Sequence, residues 1–313
     1  MPLDPDSLVA RAVQGDRGAI AKLISIVEDG GALAMVAGAA LHPHTGNAYT
    51  VGLTGAPGAG KSSLTDGLVG RVRRDGIEVG VLAIDPTSPF TGGAILGDRV
   101  RMQDHATDPG VYIRSMATRG HLGGLALATP QAIRVLDAAG KPWVFVETVG
   151  VGQVEVEIAG AADTTIVVVN PGWGDGVQAN KAGLLEIADL FVVNKADRDG
   201  VAETIRDLEM MLDLSAASDW RPPILTTVAT SATGIDELWS AIGDHRAFQE
   251  HDDFLVKRRE AKTRLEVEAI VLARLEADVR TACHGPHFDD LVAKVNGRLL
   301  DPYAAAEEIL RSR

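Results

Sequence analysis

The stretch Gly55-Ala56-Pro57-Gly58-Ala59-Gly60-Lys61-Ser62 decides how this 313-residue chain is read. An apolar run over residues 49–53 precedes it, and a helical pattern through Val72 follows it. A strand, then G-x-x-x-x-G-K-[ST], then a helix is the arrangement in which the amides of a glycine-rich turn close around phosphate oxygens. The helix N-terminus adds its partial positive charge to the same place. On this reading Gly55, Ala56, Pro57, Gly58, Ala59, Gly60, Lys61, Ser62 and Ser63 form a nucleotide cradle, with Lys61 reaching the β and γ phosphates and the Ser62 hydroxyl ligating magnesium.

Outward from the cradle, short β-rich runs alternate with helical stretches: YTVGLTG, EVGVLAID, GVYIRS, WVFVET, TTIVVVN, LFVVNKAD and ILTTVAT. Strands separated by helices imply right-handed crossovers and a mostly parallel sheet, with ligands at the carboxyl ends of the strands. The expected fold is therefore α/β, a P-loop NTPase with a mostly parallel central sheet flanked by helices. Residues 1–48 read as an N-terminal helical extension, through the periodicity of Leu8, Ala12, Ile20, Leu23, Ile24 and Val27. Residues 49–245 form the nucleotide domain and residues 246–313 a C-terminal helical arm. In that arm Leu265, Leu272, Leu275 and Val279 share a face, and breaks at Gly285-Pro286 and Asp301-Pro302 open two further helices. The arm has little core of its own, so its apolar face packs on the main domain or on another copy.

The run Trp143-Val144-Phe145-Val146-Glu147-Thr148-Val149-Gly150 is a buried strand ending in a carboxylate and a glycine, as a second phosphate-site motif requires. Glu147 is placed to hold magnesium through a water, and the Gly150 amide to meet the γ-phosphate. Val151 stands where Ras-type GTPases carry a water-orienting glutamine, which implies slow intrinsic hydrolysis. Asp85 ends an apolar strand and Asp98 follows a glycine-containing stretch. Both are candidates to hold the waters of a hard cation or to orient the attacking water, against the plainer reading that each caps a helix or turn.

Asn194-Lys195-Ala196-Asp197 follows another apolar run. The Asp197 carboxylate can accept hydrogen bonds from N1 and the exocyclic amine of guanine, a pairing that adenine does not offer. Lys195 can lay its stem over the base and Asn194 can tie loops together. Further on, Ser231 and Ala232 supply a loop whose amide can meet guanine O6. The order of the four segments selects GTP over ATP.

Composition removes other classes. With 43 acidic against 30 basic residues the chain carries a formal charge of -13 and repels a phosphate backbone, so no nucleic-acid partner is expected. One cysteine, Cys283, allows no internal disulfide and no multi-thiolate metal cluster. No apolar run reaches the length of a membrane span, and the expected location is the cytoplasm, with no membrane partner.

The strings AIDPTSPFTGGAILGDRVRM, IRSMATRGHLGG, FVETVGVGQVEVEI and NPGWGDGVQANKAGLLEIADLFVVNKAD resemble the MeaB/ArgK family over nearly the whole chain. These are methylmalonyl-CoA mutase-associated GTPases within the wider group of metallochaperone-like P-loop GTPases, with the methylmalonic aciduria type A protein as human homologue. Val154 departs from the family's pattern, which has serine there. The resemblance implies a homodimer joined by the C-terminal arm, GTP and GDP as substrate and product, Mg2+, and a chaperone role. An adenosylcobalamin-dependent acyl-CoA mutase would be protected and its cobalamin delivery gated. It further implies switch segments at residues 85–98, 150–157 and 172–183. In the last, Asp175 and Lys181 can swap ion-pair partners as the nucleotide state changes, against the plainer reading of two solvated surface charges. Arg114, Arg119 and His121 surround a glycine-rich turn and can approach phosphate or partner. The alternatives are a kinase that passes the γ-phosphoryl group to an acceptor, a nickel-delivery GTPase, and a binding module clamped by its nucleotide.

Overall fold

The computed structural model describes residues 4–85, 102–105, 107–117, 122–148, 160–172, 183, 186–214 and 219–311. Seven strands form one sheet: β1 (Tyr49–Thr54), β2 (Val79–Asp85), β3 (Val111–Ala117), β4 (Trp143–Thr148), β5 (Thr164–Val169), β6 (Leu190–Asn194) and β7 (Ile224–Thr227). Their order is β3-β2-β4-β1-β5-β6-β7, and every neighbouring pair is parallel. The expected runs all become strands. They read as continuous apolar segments because the sheet is covered on both faces, which leaves no polar alternation to see.

On one face lie α4 (Lys61–Arg74) and α7 (Ile235–Glu250), whose Leu64, Leu68, Val72, Leu238 and Ile242 pack on Val51, Leu53, Val81 and Phe145. On the other lie α1 (Pro5–Val13), α2 (Arg17–Asp29), α3 (Gly31–Leu41) and α5 (Leu122–Ala138), which share a core with Leu82, Ile84, Val144 and Val146. The N-terminal helices are thus a wall of the main core. Asp16 caps α2 by accepting from the amides of Gly18 (2.8 Å) and Ala19 (3.1 Å). Helix α6 (Val201–Leu214) covers β5 and β6 through Leu208.

The chain divides into two compact units, Met1–Lys262 and Thr263–Arg313. The second holds most of α8 (Phe254–Ala282), with α9 (Pro286–Asn296) and α10 (Pro302–Arg311). Asp301 caps α10 by accepting from the amides of Tyr303 and Ala304. No residue of α8 is buried, and Leu265, Leu272, Leu275 and Val279 are all exposed. Among the described residues no helix is long and apolar enough to cross a membrane.

Within the first unit, the opening turns of α8 are held beneath the sheet by ions. Asp163, just before β5, accepts from Arg259 Nη2 (2.9 Å), Lys262 Nζ (2.9 Å) and the Thr50 amide (3.0 Å). Asp189, just before β6, takes both Arg258 nitrogens at 2.8 Å. Burial alone would raise the Asp163 carboxyl, but Lys262 and Arg259 outweigh it and hold the group well below its ordinary 3.8. A carboxyl whose folded-state value is depressed contributes stability above its unfolded value and loses it as the pH falls below that value. The Asp163 contribution is therefore complete at neutral pH and drains away below about pH 4. Asp163→Asn should lower the unfolding free energy at pH 7 by about 3–5 kcal/mol, the cost of leaving buried cations unpaired. It should also flatten the acid limb of the stability profile, both measured by urea unfolding across pH.

Candidate nucleotide site

The loop between β1 and α4 is shaped by its glycines. Gly55, Gly58 and Gly60 have φ of 131°, 76° and 96°, in the left-handed region that other residues avoid. At Gly55 a Cβ would fall on the Val168 carbonyl of β5, and at Gly60 on the Asn194 amide nitrogen. The loop is therefore pressed onto its neighbours at Gly55 and Gly60, while Gly58 has space around it and is set by its backbone conformation alone. Lys61 opens α4 and is buried, its ammonium donating to the carbonyls of Gly55 (2.5 Å) and Ala56 (3.0 Å). Ser62 is buried beside it. A buried ammonium, a hydroxyl and a helix N-terminus at the carboxyl end of a central parallel strand form a receptor for polyphosphate.

Two buried carboxylates stand on the adjacent strands. Glu147 lies across from Leu53 of β1 and Ala83 of β2, and Asp85 follows two residues beyond Ala83. Side chains alternate along a strand, so Asp85 and Glu147 project from the same face, the one covered by α4. They are 3% and 2% exposed, low enough that each charge needs partners within the site. Among the described residues no group of three or more His, Cys, Asp or Glu side chains is arranged to hold a metal. A hydroxyl and a pair of carboxylates instead suit magnesium, a hard cation that keeps several waters and takes the rest of its oxygens from substrate phosphates.

The base motif is drawn up against the loop. Asn194, 2% exposed, donates from Nδ2 to the Ala59 carbonyl (2.9 Å). Its Oδ1 accepts from the Thr227 hydroxyl (3.0 Å) and the Ala229 amide (3.2 Å). Lys195, at φ 60°, reaches back to donate to the Gly58 carbonyl at 2.6 Å. Asp197 is exposed on the same loop. The amides of Ser231 and Ala232 close a tight turn onto the carbonyls of Val228 and Ala229, so both residues stand beside the motif with those amides already engaged.

Other sequence candidates fall differently. Asp98, Gly150, Asp175, Lys181, Arg119 and His121 lie outside the described residues. Arg114 does not approach the phosphate loop. Its guanidinium donates to Ser25 (3.0 Å) and Glu28 (3.4 Å) of α2, on the face of the sheet away from α4. The sequence places Arg114 near a glycine-rich turn but on no particular face, and the alternation along β3 turns it to the N-terminal helices. Sequence reasoning also passed over Thr65, a fully buried polar residue one turn along α4 from Ser62. A threonine on the apolar face of the helix, three residues after Ser62, was the signal available.

A sequence model of the family described as methylmalonyl Co-A mutase-associated GTPase MeaB matches residues 20–284. The chain belongs to the MeaB family of GTPases. A protein of Pyrococcus abyssi that is named as a GTPase is 52% identical over 310 residues, covering 98% of this chain and 96% of that one. The GTPase ArgK of Escherichia coli is 39% identical over 247 residues, covering 76% and 75%. The mouse methylmalonic aciduria type A homolog, named as mitochondrial, is 37% identical over 208 residues, 64% of this chain and 49% of that one. Among solved structures, one described as an LAO/AO transport system kinase superposes with a TM-score of 0.71 at 28% identity, covering 98% of this chain and 96% of that one. As a member of this family the chain is a GTPase and binds guanine nucleotide.

The two crowded glycines separate folding from binding. Gly55→Ala should cost stability, about 2–4 kcal/mol, because a backbone carbonyl must give way. Gly60→Ala meets only the Asn194 side chain, and should keep the fold within about 1–2 kcal/mol while weakening GDP at least ~tenfold. Thermal unfolding and titration with a fluorescent GDP analogue would distinguish them.

Proposed function

We propose that this GTPase works with Mg2+ as a chaperone of an adenosylcobalamin-dependent acyl-CoA mutase, protecting the mutase and gating delivery of its cofactor. The observation that carries the partner is the family match, whose description names association with methylmalonyl-CoA mutase over residues 20–284. The buried Lys61, Ser62, Asp85 and Glu147 around one loop support the chemistry. The exposed apolar residues of α8 support a homodimer joined through the C-terminal arm, and the single cysteine fits a reducing cytoplasm.

In this reading Gly55 to Ser63 hold the phosphates, and Lys61 stabilises charge that builds on the β–γ bridge and the γ oxygens as water attacks in line. Ser62, Asp85 and Glu147, with Asp98 from the adjoining segment, would hold magnesium, which supplies further positive charge to the phosphates when bound. Gly150 donates to the γ-phosphate, Asp197 reads guanine, Lys195 covers the base, and Ser231 and Ala232 bound it. Asn194 sets the distance between base and phosphate subsites. Asp175 and Lys181 exchange partners as the nucleotide changes, so that the mutase senses its state.

A transfer to an acceptor is the second reading, favoured by the description of the superposing structure as a transport system kinase. With γ-labelled GTP, the chaperone reading expects label in solution as phosphate, and the kinase reading expects it on an acceptor.

The deciding experiment is GTP hydrolysis with and without a candidate adenosylcobalamin-dependent mutase. Stimulation by the mutase is expected, and Lys61→Ala should lower the stimulated rate by at least ~100-fold. A rate that no such mutase changes would remove the proposed partner while leaving the GTPase in place.

A further inference from the structure

The Thr65 hydroxyl is enclosed between α4 and β4, with the residue fully buried. Its oxygen lies 2.9 Å from Glu147 Oε2 and 3.0 Å from the Lys61 carbonyl. We propose that Thr65 is a positioning residue for GTP hydrolysis, whose hydroxyl fixes the direction of the Glu147 carboxylate on the metal side of the phosphate site. The proposal rests on the role assigned above to Glu147.

The placement follows from helical spacing. Thr65 comes three residues after Ser62 and four after Lys61, so all three stand on one face of α4. A threonine inside a helix ordinarily returns its proton to the carbonyl four residues back. Here the carboxylate oxygen competes for the same proton. An ionised carboxylate has no proton to give, so Thr65 is the donor, and a hydrogen bond to a charged acceptor is the stronger of the two.

The consequence is orientational. The last torsion of a glutamate is broad, so an unanchored carboxylate samples many planes. Anchoring Oε2 from the helix that also carries Lys61 and Ser62 sets the plane of the group, and with it the direction of Oε1. Electrostatic catalysis gains from groups already aimed before reaction, since they need no reorganisation as charge develops. Thr65 touches neither phosphate nor metal in this scheme and acts through Glu147.

The test compares Thr65→Val, which keeps the shape and loses the hydroxyl, with Thr65→Ser, which keeps the hydroxyl and loses a methyl. Readouts are kcat, KM for GTP, and Mn2+ affinity of the GDP-bound protein by electron paramagnetic resonance. For Thr65→Val, kcat should fall about tenfold and Mn2+ affinity about fivefold, with KM for GTP within about twofold. Thr65→Ser should restore both to within about twofold of the parent. Circular dichroism melting checks folding, and Thr65→Ala replaces the valine variant if that one does not fold. Parental kcat and Mn2+ affinity in the hydroxyl-free variant would overturn the proposal, as would a serine variant impaired as much as valine. Glu147→Gln, run alongside, keeps the levels apart. If Glu147→Gln is impaired and Thr65→Val is not, only the Thr65 role fails. If Glu147→Gln behaves as the parent, the assignment of Glu147 fails and takes the Thr65 role with it.

Discussion

The buried side chain of Asn194 ties its own loop to two segments distant in sequence. It holds the phosphate loop through Ala59, the end of β7 through Thr227, and the following turn through the Ala229 amide. An amide is suited to this because it donates on one side and accepts on the other, and both functions are satisfied here. Gly60 must be glycine because Asn194 occupies the space where a Cβ would stand. A phosphate receptor and a base loop become one rigid rim because this side chain leaves neither free to drift. Rigidity of that kind matters for a nucleotide, since it spares the bound base and phosphates a search for matching subsites.

The sheet beneath the rim is anchored at both ends by different physics. At the carboxyl ends, glycines allow backbone to approach backbone, and buried polar side chains gather where strands β2, β4 and β1 run out. At the amino ends, Asp163 and Asp189 clamp Arg258, Arg259 and Lys262 of α8. The strands between are largely apolar, which fixes their positions without specifying chemistry. Buried polar side chains thus gather at one edge, and the root of a long helix is held at the other.

Much of this was legible in the sequence, for reasons that can be stated. The strands showed as apolar runs because β1, β2, β4, β5 and β6 are buried on both faces, while the edge strands β3 and β7 are partly open. The glycine loop showed because its conformations exclude other residues, and the place of Asn194-Lys195-Ala196-Asp197 showed because an apolar strand runs directly into it. What could not be read were contacts between distant residues. Nothing local in Asp163 announces a pairing with Lys262, 99 residues away, and nothing in Arg114 says that α2 covers it. Thr65 was hidden for a similar reason, because a threonine in a helix draws no notice until a carboxylate from another strand is seen against it.

The proposed recognition of guanine rests on the exposed Asp197 carboxylate. Calorimetric titration of the parent and of Asp197→Asn with GDP and XDP tests that role most directly. Xanthine carries a carbonyl where guanine carries its exocyclic amine, so an asparagine amide can donate where the aspartate accepted. Asp197→Asn should lose GDP affinity by about 100-fold and gain affinity for XDP. Retention of parental GDP affinity by Asp197→Asn would contradict the assignment.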